Sequence, residues 1–299
     1  MSRPSRATAG GRAYLDLRAR ARRDGRPTDE LLVLYVLERF LFRLSVSQHR
    51  DRLVLKGGML LAAFYERRPT ADVDLLARAV NNDVESMTRI VFEVLAVTVD
   101  DGVEFEPAGS RSEVIRDADP YTGVRITVPA RVDRARHPLR VDVNVGDPVT
   151  PSPVEIPYPA LLGESFSLVG YPLETVLAEK VVTMVDRGDA TSRERDFADV
   201  YALTSRHAVD AVSLSAAVRA TGAHRGSDLR PLAEVVVDLA NLRQVDWQRF
   251  VARAGLAGEV PASYAEAIEA ISAFADPILS GNLTEGRWDP RRRRWRRRR

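Results

Sequence analysis

The chain has 299 residues, 45% of them apolar and 29% charged, which is long enough to bury the core of one large domain or of two packed ones. It has no cysteine, which excludes disulfides, thiolate zinc sites, iron–sulfur clusters and cysteine nucleophiles, and its four histidines are far apart. Carboxylates are therefore the expected ligands of any metal ion, which is expected to be Mg²⁺ or Mn²⁺. The formal net charge is +2.

The N-terminal part of the chain is predicted to be helical. After an aperiodic start, a short basic helix is expected over Arg12–Arg23. A second helix follows Thr28, which is the expected N-cap, and Asp29 and Glu30 lie in its first turn. The broad apolar face of this second helix predicts that it packs against a core.

The next elements are a strand, a glycine turn, a helix, a second strand and a long helix, predicted at 53–55, 56–58, 59–67, 72–76 and 83–99. From there to residue 145 the apolar side chains recur with period two, which predicts a mostly antiparallel sheet. A proline-rich stretch then leads into helical patterns that run from about 172 to 279.

The pattern predicts three regions. Residues 1–165 are expected to form a mixed sheet with flanking helices, and residues 166–287 a helical domain that contributes to the same site. Residues 288–299 include RRRRWRRRR and are expected to be a flexible tail that is kept disordered by its own repulsion. Two interpretations of the tail stay open: a phosphate-binding arm with Trp295 stacking on a base, or a solvated end without function. No apolar run suits a membrane span or signal segment, so a cytoplasmic protein is expected.

A pair of carboxylates marks the predicted site. Asp72 and Asp74 alternate with Val73 in a strand, so both carboxylates project from one face. Asp142, within the strand pattern at 139–145, is a third acid with similar aliphatic neighbours. Three such acids can hold two Mg²⁺ ions for in-line phosphoryl transfer. The alternative is an acid pair that occurs by chance in a surface strand.

The glycine turn upstream adds weight to the acid pair. Gly57 and Gly58 lack a Cβ, so a triphosphate can approach backbone N–H groups at the start of the following helix. Lys56 adds a positive charge beside them. The alternative is a tight strand-to-helix turn that binds no ligand.

Five segments together resemble one known family. They are Leu37–Ser45, Leu55–Gly58, Arg68–Asp74, Leu177–Lys180 and Arg195–Tyr201. In this order they resemble the motifs of the AbiEii family, the nucleotidyltransferase toxins of bacterial toxin–antitoxin and abortive-infection systems, which includes the mycobacterial MenT toxins. The resemblance covers about residues 29–203, and the arginine tail is not one of its features.

The resemblance implies an α+β fold, with a polymerase-beta-like nucleotidyltransferase core followed by an α-helical C-terminal half. With the acid pair and the glycine turn, it gives a set of expected site residues. Asp72, Asp74 and Asp142 are expected to bind metal; Lys56, Gly57, Gly58, Arg68 and Thr70 to bind substrate; and Asp72, Asp74, Lys180, Asp196 and Asp199 to act in catalysis.

Several of these roles have structural alternatives. Lys180 lies on an apolar helix face without an acid three or four residues away, so it needs a phosphate, water or a distant acid. Asp196 and Asp199 share a helix face near Arg193 and Arg195, where an ion-pair cluster competes with a catalytic role.

Two further positions carry alternatives of their own. Thr70 is a substrate contact, a site of inhibitory modification or simply a turn hydroxyl. Asp147 is an alternative to Asp142 as the third carboxylate.

The implied function is that of a toxin that transfers a nucleoside monophosphate from an NTP to the 3′ end of tRNA and blocks translation. Its expected partners are NTP, tRNA and a cognate antitoxin protein, with no membrane association. Two alternatives stay open. One is a nucleotidyltransferase or kinase that acts on protein, and the other is a non-catalytic module that binds nucleic acid or a partner.

Overall fold

A computed structural model describes residues 4–65, 67–116 and 122–296. The helices are α1 (Ala9–Asp24), α2 (Thr28–Ser45), α3 (Gly57–Leu60), α4 (Val84–Leu95), α5 (Leu173–Arg187), α6 (Glu194–Arg206), α7 (Ala211–Arg225), α8 (Leu232–Val235), α9 (Leu239–Ala254) and α10 (Tyr264–Leu279). The strands are β1 (Leu53–Lys56), β2 (Val73–Ala77), β3 (Val103–Phe105), β4 (Arg111–Arg116), β5 (Thr122–Val128), β6 (Ala130–Val132), β7 (Ala135–Arg136), β8 (Leu139–Val145), β9 (Val154–Tyr158), β10 (Phe166–Gly170), β11 (Arg287–Asp289) and β12 (Arg294–Arg296).

The chain divides into two compact units. The first contains the residues up to Gly146 together with Val154–Tyr171, and the second contains Asp147–Pro153 and the residues from Pro172 onward. The first unit holds the strands β1 to β10, and the second is helical apart from the hairpin β11–β12. The predicted α+β class, a mixed sheet with flanking helices followed by a helical half, is confirmed.

The first unit is built on a seven-stranded sheet in the order β4-β5-β8-β2-β1-β10-β9. The pairs β2–β8 and β1–β10 are parallel, and the other neighbours in the sheet are antiparallel. A separate three-stranded sheet has the order β3-β6-β7. The central strands β1, β2 and β8 are rich in buried aliphatic side chains, which places the core of the unit on the middle of the large sheet.

Helix α2 contains a buried ion-pair network. Glu38 is fully buried and accepts hydrogen bonds from Arg39 at 2.9 Å, from Arg67, and from the backbone N–H of Leu161 at 2.8 Å. A buried charge of this kind is tolerated only when it is paired and hydrogen-bonded. The glutamate–arginine segment of α2, one of the motifs behind the family resemblance, therefore stabilises the fold.

Two helix predictions in the first unit are corrected. Thr28 is the first residue of α2 rather than its N-cap; Pro27 takes the cap position, without a side-chain cap. The helix predicted at 59–67 is only the four-residue α3 followed by the 3₁₀ turn Leu61–Ala63. Leu60 and its neighbours are buried on all sides, so no amphipathic face sets the length of this run.

The stretch predicted as a proline-rich connection contains part of the sheet. Its strand β9 pairs with β10, and Pro157 lies opposite Ser167. Because β9 is an edge strand, it tolerates a proline, which has no backbone N–H to donate to a neighbouring strand. The predicted boundary at 165 would separate β10 from its sheet, whereas the first unit extends to Tyr171.

The second unit contains six helices in its described residues, α5 to α10, and they lie within the helical patterns predicted from about 172 to 279. Its N-terminal segment is tied to α5 by two hydrogen bonds between Thr150 and the hydroxyl of Thr175, at 3.1 and 2.7 Å. In the part of the chain that the structure describes, none of the helices has the length and apolarity that crossing a membrane requires.

The prediction of a flexible tail is wrong over residues 288–296. Strands β11 and β12 form an antiparallel hairpin in which Trp288 pairs with Trp295. The indole N–H of Trp288 donates to the carbonyl of Thr204 at 2.7 Å, and that of Trp295 donates to the carbonyl of Phe274 at 2.9 Å. The repulsion between arginines is outweighed because the two tryptophans anchor the hairpin. Residues 297–299 of that prediction lie outside the described residues.

Candidate functional site

Four charged side chains form a row across the large sheet. In the strand register, Lys56 of β1 pairs with Asp74 of β2, Asp74 pairs with Asp142 of β8, and Asp142 pairs with Arg125 of β5. Residues paired directly across neighbouring strands project to the same face of the sheet. The row therefore places two carboxylates side by side, with one cation at each end.

The two acids at the start of β2 are held differently. Asp72 immediately precedes the strand, and its Oδ1 accepts a hydrogen bond of 3.0 Å from the hydroxyl of Thr70. Burial and the charge of Asp72 raise the pKa of Asp74 to about 6, and Asp142 adds to the rise, although Lys56 and the backbone N–H of Gly58 act in the opposite direction. The ionised form of Asp74 is therefore disfavoured, first by burial and then by the neighbouring acids.

The glycine turn packs directly against these acids. Gly57 has a φ of +65°, and a Cβ placed on it would lie 1.8 Å from Oδ2 of Asp74. A Cβ on Gly58 would lie 2.7 Å from the hydroxyl oxygen of Thr70 and 3.6 Å from Nη2 of Arg68. Glycine is required here because its backbone lies beside the carboxylate in a conformation that other residues rarely adopt.

The turn differs from the predicted phosphate site in one respect. The prediction used the N-terminal end of a helix, but α3 has only four residues and too little length for a substantial dipole. The backbone N–H of Gly58 is hydrogen-bonded to Asp74. Contact of Gly57 and Gly58 with substrate stays a prediction.

Asp142 lies beside Asp74 but is held by Arg125. The guanidinium donates two hydrogen bonds, from Nε at 2.8 Å and from Nη2 at 2.6 Å, to the two carboxylate oxygens. These bonds raise the pKa of Arg125 above its usual value, and Asp142 is only 8% exposed. Across residues 4–65, 67–116 and 122–296, no three or more histidine or acidic side chains are arranged to hold a metal ion. Of the three predicted metal ligands, Asp142 is thus held by a two-pronged ion pair with Arg125, whereas Asp74 has Lys56 opposite it in the strand register.

Lys56 and Arg68 lie in the same region of the first unit. The ammonium of Lys56 is 5.5 Å from the centre of the Tyr171 ring, a geometry that suits a cation–π contact. Tyr171 is fully buried at the end of β10, where its backbone N–H bonds the carbonyl of Leu55 at 2.9 Å. The tyrosine was not predicted from the sequence, because its contact with Lys56 depends on the parallel pairing of β1 with β10.

The second unit contains a different charge cluster. Lys180 of α5 is 2.8 Å from Oδ1 of Asp196 and 2.8 Å from Oδ2 of Asp199, both on α6. Burial alone would raise the pKa of Asp196, but the charge and hydrogen bond of Lys180 outweigh it and lower that pKa. Arg193 adds a weaker contact at 3.9 Å. The structure therefore brings these three predicted residues together as an ion-pair cluster, with the distant acids as partners of the lysine.

Two other predicted residues are in different surroundings from those expected. Asp147, the alternative third carboxylate, belongs to the second unit and lies 3.9 Å from Nε2 of His224. Trp295 stacks on Phe274 with ring centres 5.4 Å apart, so its ring is engaged inside the protein. Arg125 was missed, although its position between Val124 and Ile126 in a period-two segment signals a side chain on the face opposite the core.

A family model described as "Nucleotidyl transferase AbiEii toxin, Type IV TA system" matches residues 39–271 of the chain. A search of curated proteins finds no match.

Three solved structures are similar to the chain. JHP933 from Helicobacter pylori shares 13% identity with a TM-score of 0.47, over 83% of this chain and 91% of that one. The nucleotidyltransferase toxin MenT4 from Mycobacterium tuberculosis H37Rv shares 17% identity with a TM-score of 0.42, over 90% of this chain and 94% of that one. A structure titled as a nucleotidyltransferase from H. pylori shares 12% identity with a TM-score of 0.38, over 86% of each chain.

Proposed function

The chain belongs to the AbiEii family of nucleotidyltransferase toxins of type IV toxin–antitoxin systems, and on that basis we propose that it transfers a nucleoside monophosphate from an NTP to the 3′ end of tRNA. The product is a tRNA whose 3′ end can no longer carry an amino acid, so translation stops. A cognate antitoxin protein restrains this activity, and the reaction takes place in the cytoplasm.

The observation that carries the proposal is that Asp72 and Asp74 lie together beside Lys56 and the glycine turn. Two carboxylates on one face of a strand, with the pKa of one raised to about 6, form a site that a cation would stabilise. Structural acids are usually neutralised by nearby bases, as Asp142 is by Arg125. An acid pair in which burial and mutual repulsion disfavour the ionised form of Asp74, in a protein of this family, is best explained as a metal site.

The donor chemistry fits Mg²⁺ or Mn²⁺, which prefer carboxylate oxygens. Asp72 and Asp74 would hold the ion. Asp142 would join them only after giving up its ion pair with Arg125. When bound, the ion would supply positive charge against the triphosphate and the developing charge of phosphoryl transfer. The chain itself orients the pair, through the hydroxyl of Thr70 on Asp72 and the N–H of Gly58 on Asp74.

We assign the substrate-facing roles to the residues around the pair. Lys56 and Arg68 carry positive charge beside the acids and would bind the phosphates of the NTP. Gly57 and Gly58 allow the turn to pack against Asp74 and Thr70, and we assign their backbone to the phosphate side of the same site. Thr70 serves as a positioning residue for Asp72. Lys180, Asp196 and Asp199 belong to the catalytic set by resemblance, and their mutual ion pairs supply a second role in stability.

The proposal is tested by incubating the full-length chain with Mg²⁺, total RNA and each of the four NTPs, labelled at the α-phosphate or at the γ-phosphate. Label from the α-position is expected in RNA of tRNA size, and sequencing is expected to place added nucleotides at the 3′ end. No label from the γ-position is expected in RNA or protein.

Two outcomes would replace the proposal. Label that appears on protein would make the acceptor a protein, and transfer of the γ-phosphate would make the enzyme a kinase. If no NTP gives label and the Asp74→Asn variant still arrests growth, the acid pair is structural and the protein acts by binding alone.

A further inference from the structure

The C-terminal hairpin has two chemically different faces. Because side chains alternate along a strand, Arg287 and Asp289 of β11 project to the side opposite Trp288. In β12, Arg294 and Arg296 likewise project to the side opposite Trp295. The arginines of the two strands therefore share one face, and the tryptophans share the other.

The tryptophan face fixes the hairpin to the second unit. Trp288 is 1% exposed and meets the ring of Phe274 edge to face, with ring centres 5.0 Å apart. Trp295 stacks on the same phenylalanine. The carbonyl of Val209 accepts a backbone hydrogen bond from Trp288 at 2.8 Å. The arginine face is thus displayed from a fixed, hydrogen-bonded support.

The turn of the hairpin separates inward from outward arginines. Arg293 points inward: its guanidinium lies 3.9 Å from the centre of the Tyr201 ring and donates to the hydroxyl of Ser205 at 2.9 Å. Asp289 caps the turn by accepting the backbone N–H groups of Arg291 and Arg292, at 3.0 and 3.1 Å. The side chains of those two residues are exposed at the tip.

Most of the exposed charge on the hairpin is not neutralised. Asp289 forms an ion pair with Arg296 and is the one acid within the hairpin. Within the described residues, the side chains of four exposed arginines form no ion pair and no hydrogen bond: Arg287, Arg291, Arg292 and Arg294. The result is a strongly positive ribbon on a chain whose remaining residues are more acidic than basic.

We propose that this arginine hairpin, Arg287–Arg296, is a nucleic-acid docking surface that binds the sugar-phosphate backbone of RNA without reading its sequence. The identification of that RNA as the acceptor rests on the proposed function. Arginine forks match phosphate oxygens, and a cluster of them attracts a polyanion by charge and by release of its counterions. Both tryptophans are engaged on the inner face, so bases are not recognised by stacking on them.

The chemistry of the exposed face favours RNA over a protein or a lipid surface. A protein interface is centred on apolar and aromatic side chains, and membrane insertion also needs an apolar face. The outward side chains of the hairpin are arginines, apart from Asp289, and its large apolar side chains lie on the inner face. The regular phosphate backbone of RNA is a partner that such a face can bind by charge, without an apolar contact.

The test replaces the four outward arginines by glutamine (Arg287→Gln, Arg291→Gln, Arg292→Gln and Arg294→Gln together) in the full-length chain. Binding of a short fluorescent RNA of mixed sequence is measured by anisotropy at several salt concentrations, without NTP. The affinity at moderate salt is expected to fall by about ten- to a hundredfold. The plot of the logarithm of the association constant against the logarithm of the salt concentration should become shallower, its negative slope losing about 3 to 4 in magnitude.

A matched control removes the same charge elsewhere. Arg22, Arg23, Arg219 and Arg253 are exposed and lie outside the hairpin. Their combined change to glutamine is expected to alter the affinity less than about threefold, by the general effect of net charge. A variant with lysine at the four hairpin positions should keep most of the affinity, and unchanged tryptophan fluorescence and melting temperature would verify that each variant is folded.

The result distinguishes this inference from the proposed function. Equal affinities and salt slopes for the hairpin variant and its control would overturn the docking surface, even if nucleotide transfer to RNA is observed and even if the hairpin binds a protein. Loss of RNA binding in the hairpin variant alone would support the docking surface, even if no nucleotide is ever transferred.

Discussion

Each of the two units contains a pair of aspartates on one face of a regular element; the strand pair is half-buried and the helical pair is buried, and the pKa of one acid is shifted in opposite directions in the two pairs. Asp72 and Asp74 are two residues apart at the start of a strand, and the pKa of Asp74 is raised to about 6. Asp196 and Asp199 are three residues apart on a helix, and the pKa of Asp196 is lowered. The difference lies in Lys180, whose ammonium is 2.8 Å from a carboxylate oxygen of each helical acid.

This comparison separates two uses of paired carboxylates. A pair neutralised within the protein stabilises the fold once it is formed, because its charges are already compensated. A pair in which the ionised form of one acid is disfavoured lowers stability at neutral pH, and acids with such shifted pKa values are concentrated at functional sites. We therefore expect the strand pair to control activity and the helical pair to control stability first.

The largest expected effect is on activity. Asp74→Asn should reduce nucleotide transfer by about a thousandfold, because losing a metal ligand removes several kcal/mol of transition-state stabilisation. The measurement is the initial rate of label incorporation from α-labelled NTP. Asp51→Asn, which changes an exposed aspartate of the same unit, is the control and should keep full activity. Retained transfer in the Asp74 variant would remove the strand pair from the mechanism.

The next effect is on stability. Lys180→Met should lower the free energy of unfolding by about 3 to 4 kcal/mol, because it leaves Asp196 and Asp199 buried without their main counter-charge. Urea unfolding at pH 7 measures it, and Lys180→Arg, which keeps the charge, should recover part of the loss. A change below about 1 kcal/mol would contradict a stabilising role and would favour a lysine that is available to substrate.

The glycine turn gives a smaller effect, which a matched pair of variants can isolate. Gly57→Ala should destabilise the protein by about 2 to 3 kcal/mol, since it adds backbone strain at a φ of +65° and a clash with Asp74. Gly25 has a φ of +64° with no atom within 4 Å of the added Cβ, so Gly25→Ala should cost only about 1 kcal/mol. Thermal unfolding of both variants measures the difference, which estimates the clash alone. Equal losses would show that Asp74 moves aside without cost.

The sequence predicts the parts of the site that are close along the chain, but it misses the contacts between neighbouring strands and between helices. The spacing of Asp72 and Asp74 and the glycine turn before them are local patterns, and the structure places them in contact. Arg125 pairs with Asp142 through strand register, and that register is set by the packing of the whole sheet. The acids that pair with Lys180 lie 16 and 19 residues away, on another helix, beyond any helical spacing rule.

The same distinction explains the outcome for the fold. Amphipathic periodicity predicted most of the long helices, because burial of one face follows directly from side-chain spacing. The strand β9 was missed because prolines suggested a connection, although an edge strand accepts them. The hairpin was missed because the arginine run dominated the interpretation, while the alternation around Trp288 and Trp295 carried a strand signal.

The smallest effect is a dependence of stability on pH. The two acid pairs should contribute to it with opposite signs. The pKa of Asp74 is about 6 in the folded protein and near 3.8 when unfolded. Between these values the folded state binds more protons, so the free energy of unfolding falls as pH rises from about 4 to 6, by on the order of 2 kcal/mol. Asp196, with a lowered pKa, contributes stability that is lost only as pH falls below its unfolded value.

Urea unfolding with a chelator present, at intervals from pH 4 to 7, can separate the two contributions. Asp74→Asn should remove the fall between pH 4 and 6 and make the protein more stable than the wild type at pH 7, while Asp196→Asn should leave that fall in place. A wild-type curve that rises steadily to pH 7 and is unchanged by Asp74→Asn would mean that Asp74 is already neutralised. In that case the strand pair would not differ from the helical pair, and the argument for a cation at Asp72 and Asp74 would lose its electrostatic basis.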